Sequence, residues 1–194
     1  MIQFRRIVTA NDVSEVAALA REIWTDHYVS IIGRDQVEYM LENFQSEQAI
    51  GEQIRKGYQY YFIVAPGAEA DSPDCAGSEA EPGGYIALLP DARTASMFVS
   101  KIYVLKRLRG RGLGGAAIEF AEARCRAAGL HTLWLTVNKN NKGTIAWYEA
   151  RGFRNMGSVV MEIGDGFVMD DLKMVKRVEE KNSRGEKKSE EEEE

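Results

Sequence analysis

Arg109-Gly110-Arg111-Gly112-Leu113-Gly114 stands between a strand-like run that ends at Val104 and an Ala-rich run with helical spacing. Glycines at 110, 112, 114 and 115 let the backbone curl tightly and present consecutive N–H groups with no Cβ in the way. A helix N-terminus directly after the turn adds orphan donors and partial positive charge. Lys106, Arg107, Arg109 and Arg111 raise the local positive potential. Such a turn suits an anion, and phosphate above all.

Upstream of the turn, residues 84–89 and 96–104 read as two strands of a hairpin that reverses at Pro90-Asp91. Downstream, Leu113, Ala117, Phe120 and Ala121 form an apolar helical stripe, and Gly129 sits where a C-terminal cap belongs. Residues 131–137 then read as a buried strand, Asn138 to Asn141 as a polar turn, and 144–151 as a helix stopped by Gly152. Two closing strands, about 153–163 and 167–178, are joined by Gly164-Asp165-Gly166, which has hairpin chemistry.

Toward the N-terminus, residues 2–8 alternate as a strand, and Thr9 with Asp12 is a capping-box pair. Val13, Val16, Ala17, Ala20, Trp24 and Ile31 recur at helical spacing until Gly33. A second helical run carries Val37, Met40, Leu41 and Phe44, and a third starts near Ser46 with Ile50 and Ile54 facing inward. After Gly57, residues 58–64 are aromatic and β-branched, as in a strand. The segment 66–82, rich in Gly, Ala, Ser, Asp and Glu, reads as an exposed, mobile loop.

A chain of 194 residues suits one well-buried domain, expected over residues 1–178. Residues 179–194 hold 8 acids and 4 bases, so the remaining 22 acids face 21 bases and the body is nearly neutral. This tail is of low complexity and is expected to be disordered. A neutral body argues against nucleic acid as a partner, and the lack of a long apolar run argues against a membrane; a cytoplasmic protein is expected. Cys75 and Cys125 form neither a disulfide framework nor a metal cluster.

Gly110-x-Gly112-x-x-Gly115 also fits a dinucleotide fingerprint. That site needs an acid about 20 residues on, at the end of the next strand, where Leu133 to Asn138 offer none. A Walker-type loop needs Lys followed by Ser or Thr, and here Ala116-Ala117 follows Gly115. The turn instead resembles that of the GNAT superfamily of acyl-CoA-dependent N-acetyltransferases, in which Arg or Gln is followed by two residues, Gly, one residue, then Gly or Ala. Arg109, Gly112 and Gly114 fit that pattern. A second hallmark, Asn seven residues before Tyr and then Gly-Phe, is matched by Asn141, Tyr148 and Gly152-Phe153.

The resemblance covers about residues 1–178 and implies a fold of class α/β (α+β). The sheet would be mixed, mostly antiparallel, of about seven strands, splayed between its fourth and fifth strands, with helices on both faces. It implies acetyl-CoA as cosubstrate, with no metal, and a primary amine acceptor: a small amine, a polyamine or a peptide amine. Ile102, Tyr103 and Val104 would pair with the pantetheine arm, and the amides of Arg109, Gly110, Arg111, Gly112, Leu113 and Gly114 would take the pyrophosphate. Asn141 would hydrogen-bond the arm, Asn138 lies near the splay, and Tyr148 would protonate the departing thiolate. Tyr103-Val104-Leu105-Lys106 and Met169-Asp170-Asp171 look similar to diamine and polyamine acetyltransferase-like members. A homodimer stays open as a partner state.

Many family members carry Glu on the strand leading into the turn, whereas residues 98–103 here contain no carboxylate. This gap keeps a non-catalytic acyl-CoA-binding module as the alternative function. Glu22, Asp26 and His27 lie on or near the first helix, and Asp170 and Asp171 on the last strand could attract a cationic amine. Strand alternation sends those two aspartates to opposite faces, so one at most enters a given cleft. His27 and His131 stand alone in the sequence, as structural histidines do.

Overall fold

The computed structural model describes residues 1–65 and 81–179. Most of the 66–82 loop and all but the first residue of the 179–194 tail lie outside these residues, as does Cys75. Seven strands form one sheet in the order β1-β2-β3-β4-β5-β7-β6. They are β1 (Gln3–Arg6), β2 (Gln59–Val64), β3 (Pro82–Asp91), β4 (Ser96–Val104), β5 (Thr132–Asn138), β6 (Arg154–Gly164) and β7 (Phe167–Arg177). Five α-helices accompany them: α1 (Ala10–Ile32), α2 (Arg34–Phe44), α3 (Glu47–Arg55), α4 (Leu113–Ala127) and α5 (Lys142–Glu149).

Two apolar layers cover the sheet. α1, α2 and α3 bury Val16, Ile23, Trp24, Leu41 and Ile50 on one face, and α4 with Tyr148 of α5 buries Leu113, Ala117, Ile118 and Ala121 on the other. The helix starts follow their sequence signals. Thr9 and Asp12 form a full capping box at α1, Ser46 accepts from the Ala49 N–H at α3, and Gly33 separates α1 from α2 at φ +83°.

The first hairpin differs from the sequence expectation. Pro90 and Asp91 belong to β3, and the reversal is a 3-10 turn at Ala92–Thr94 closed by Ala95 in the left-handed region. Asp91 still shapes it, because its carboxylate accepts from the Arg93 N–H and caps the turn. β1 is shorter than residues 2–8, and α5 starts and ends two residues earlier than 144–151.

Two irregularities position the site. β4 runs parallel to β5 over only Ser96–Phe98 against Thr132–Trp134, after which the strands part. Within β4 the register to β3 slips, so that Ala87 faces Lys101 while Leu88 faces Val99, leaving Ser100 as a bulge. The bulge reverses the alternation. Met97 and Val99 pack with α4, whereas Tyr103 packs with α1 to α3 and Lys101 reaches Gln53 of α3.

Candidate active site

Where β4 and β5 diverge, a cavity of about 680 Å³ opens through the sheet. Its walls are the second half of β4, the end of β5, the glycine turn, and side chains from α1, α2, α5 and β7. On its β3 side β4 stays paired to its last residue, Gly84 opposite Val104. On the β5 side Ile102, Tyr103 and Val104 have no strand partner, so this edge of backbone groups borders the cavity. Gly84 permits this arrangement: a Cβ there would stand 2.2 Å from the Tyr103 carbonyl oxygen.

At one end lies the glycine turn. Gly110 and Gly112 have φ +78° and +84°, and a Cβ on either would meet no atom within 4 Å, so backbone conformation is what requires glycine. Gly112 begins α4 without any side-chain cap, leaving the first N–H groups of the helix directed at the mouth of the cleft. Arg109 folds back along the strand end, its Nε donating to the Val104 carbonyl at 3.1 Å. Arg151 adds a cation that the sequence reading did not place. Its guanidinium lies 3.8 Å from the Trp147 ring centre and comes up beside Gly115. These donors and cations fit a pyrophosphate.

His27 links this end of the cleft to α5. Arg109 Nη1 lies 3.2 Å from Nδ1 of His27, and the Asn141 side-chain amide lies 3.4 Å from Nε2. A guanidinium can only donate, so Nδ1 accepts and the proton of the neutral ring sits on Nε2; the Asn141 amide then meets it best with its oxygen turned to the ring. Burial lowers the His27 pKa, and the Arg109 and Lys106 charges lower it further against the pull of Asp26. The ring is therefore neutral at pH 7. Of the two isolated histidines, His27 is thus a cleft residue and not merely a structural one.

Asn141 begins α5 but makes no side-chain cap there, and at 8% exposure its amide faces the cavity. Asn138 spends its Oδ1 on the turn, accepting from the Asn140 N–H at 3.0 Å. Tyr148 is 5% exposed, packed edge-on between Trp147 and Phe153. Burial raises its pKa, as does the neighbouring Tyr28 phenol, so the hydroxyl keeps its proton across the physiological range.

The remaining wall carries Tyr28, Tyr103 and Asp171. Trp24, Tyr28 and Tyr103 stack into one aromatic group, with ring centres 4.5 to 6.1 Å apart. Tyr28 is pushed up to about 12 by burial and by the Asp171 charge. Of the two aspartates weighed from the sequence, Asp171 enters the cleft, and Asp170 turns out to pair with Lys139. Glu22 and Asp26 pair at the surface with Arg107 and Lys106. They bind α1 to the turn and do not line the cavity.

Of the coenzyme-site residues and the acid selected from the sequence, all but Arg111 line this cavity. Among the described residues, no group of three or more His, Cys, Asp or Glu side chains could hold a metal ion, and no helix is long and apolar enough to cross a membrane.

A family model described as the acetyltransferase (GNAT) family matches residues 21–153. The chain belongs to this family. It is an acyl-CoA-dependent N-acetyltransferase, with acetyl-CoA as its cosubstrate, and a non-catalytic module is not favoured. An uncharacterised N-acetyltransferase from Lactobacillus delbrueckii subsp. lactis is 28% identical over 171 residues, which are 85% of this chain and 92% of that protein. The PaiA N-acetyltransferase of Thermoplasma acidophilum, solved in complex with coenzyme A, superposes with a TM-score of 0.69 at 20% identity, over 91% of this chain and 99% of that one. A spermidine N-acetyltransferase chimera from Vibrio cholerae gives 0.64 at 17% identity, over 91% and 95%. At these identities the two structures show the GNAT fold.

Proposed function

We propose that this GNAT enzyme moves acetyl from acetyl-CoA to a primary amine by direct attack, within the cleft between β4 and β5. The observation that carries the reading is the continuity of that cleft. It runs from an uncapped helix N-terminus, past an unpaired strand edge, to a buried, protonated tyrosine.

The amides of Arg109 to Gly114 hold the pyrophosphate, which needs backbone donors more than any one side chain. Ile102, Tyr103 and Val104 offer strand-edge groups to the pantetheine arm, Asn141 hydrogen-bonds the arm, and Asn138 fixes the strand end beside it. The Val104 N–H side of this edge polarises the thioester carbonyl, as an oxyanion donor does. Tyr148 gives its proton to the leaving thiolate; as a protonated phenol it is the right species for that step. Acetyl-CoA supplies the activated acyl group, and the protein supplies position and protons.

A panel of alkyl monoamines, diamines, polyamines and peptide amines, followed by release of free thiol, tests the reading. Thiol release dependent on at least one amine is expected. Release with none of them, from protein that binds CoA, would overturn it.

A further inference from the structure

Asp171 lies on β7 beside the end of β5, in register with Asn138, and faces the cleft. It is 6% exposed and has no cation within ion-pair distance among the described residues. Its surroundings are polar but uncharged: Tyr28 from α1, Tyr103 from β4 and Thr136 from β5. Cations of the neighbourhood are engaged elsewhere. Arg109 is held by Val104 and His27, and Lys173, next along the same face, lies over the Trp134 ring. The other charged group near it, Asp170, is of the same sign and already paired. A carboxylate this buried and without a counter-ion is costly to keep ionised unless a cation comes to it.

We propose that Asp171 receives the ammonium group of a cationic amine and takes its proton, supplying the carboxylate that β4 lacks. This rests on the reading of the cleft as an acetyl-transfer site. The amine reaches the enzyme as R–NH3+, and one N–H proton passes to the Asp171 carboxylate, leaving a neutral nucleophile. The C–N bond forms as the thioester carbon becomes tetrahedral, and the C–S bond breaks as Tyr148 gives its proton to sulfur. The second nitrogen proton returns to the Tyr148 phenolate, and Asp171 releases its proton to water. Charge and protons balance, with no further reactant. Burial lifts the Asp171 pKa above the ordinary carboxylate range, toward what a base acting near neutrality requires, while Thr136 pulls it back. His27 and Lys101 are the competing groups, but Arg109 and Asn141 occupy the His27 ring nitrogens and the Lys101 amine is turned to Gln53 of α3.

The test is kcat/KM for a short alkyl monoamine and a diamine, from about pH 6 to about pH 10, with CoA affinity measured by calorimetry. Asp171→Asn is expected to lower kcat/KM near neutrality by about a hundredfold or more while leaving CoA affinity unchanged. The deficit shrinks as pH nears the pKa of the amine, where solvent supplies the free base; a merely structural defect stays constant with pH. Asp171→Glu, which keeps the carboxylate, exceeds Asp171→Asn by about tenfold or more near neutrality. Equal turnover of the two variants, a deficit constant with pH, or transfer of the whole effect to His27→Asn would overturn the assignment while leaving acetyl transfer intact. Wild-type protein that binds CoA but acetylates no amine overturns both readings.

Discussion

Arg109 sets its guanidinium 3.2 Å from Nδ1 of His27, so the glycine turn and the first helix are tied across the mouth of the cleft. The Arg109 charge helps hold the imidazole below its ordinary pKa, second only to burial. Arg109→Met keeps the stem and removes the charge. The His27 pKa is then expected to rise toward 6.5, and CoA affinity to fall about tenfold with loss of a charged donor at the turn. NMR titration of the ring and calorimetry with CoA check both effects. An unmoved titration would show that Arg109 does not reach His27 in solution.

In the proposed mechanism Tyr148 acts through its hydroxyl, while its ring packs between Trp147 and Phe153. Tyr148→Phe keeps the contacts with Trp147 and Phe153. Loss of a positioned acid is expected to lower kcat by roughly 10²- to 10⁴-fold. CoA affinity and melting temperature stay near the wild-type values. Steady-state kinetics decide: kcat close to wild type would remove Tyr148 as the acid.

The order of elements was legible because local signals agree with the fold. Thr9, Gly33, Ser46, Gly129 and Gly152 each terminate or open an element where the structure has one. The resemblance to the GNAT motifs picked out Arg109, Gly112, Asn141 and Tyr148, which line one cavity. What alternation could not reveal is the bulge at Ser100, which turns Lys101 and Tyr103 to the α1 side of the sheet. Arg151 was hidden for a related reason, and His27 and Asp171 were only two candidates among several. His27 comes from α1, Arg151 from the turn after α5 and Asp171 from β7, and only packing brings them to the cleft. The Pro90-Asp91 pair looked like a turn by composition, but β3 extends through it and the reversal falls on the next three residues.

Gly84 marks where β3 and β4 come together just before the glycine turn. Gly84→Ala would place a methyl carbon 2.2 Å from the Tyr103 carbonyl, an atom of the backbone that no rotamer change can move. Strand separation at this point disturbs the Val104 end that Arg109 grips. The expected result is destabilisation of about 3 kcal/mol, at the upper end of overpacking costs, with weaker CoA binding. Denaturant unfolding and calorimetry measure the two. A variant as stable as wild type would mean that the strands part there at little cost.

Lys101 is 6% exposed and reaches Gln53, its Nζ donating to Oε1 at 2.8 Å. Burial lowers its pKa from 10.5 to about 7. Between those two values the unfolded chain holds a proton there that the folded chain has lost, so this residue's contribution to stability rises with pH across the window. Below about 7 both states are protonated and the folded state carries the full cost of a buried charge. Lys101→Met removes that cost at similar volume. Gln53 Oε1 is not orphaned, because the Tyr60 hydroxyl still donates to it at 2.7 Å. The variant is therefore expected to be more stable near pH 6, on the order of a few kcal/mol, with the gain fading near pH 10. Urea unfolding of both proteins at the two pH values measures this, and a gain that is flat or grows toward alkaline pH would show that the amine is not desolvated in the folded state.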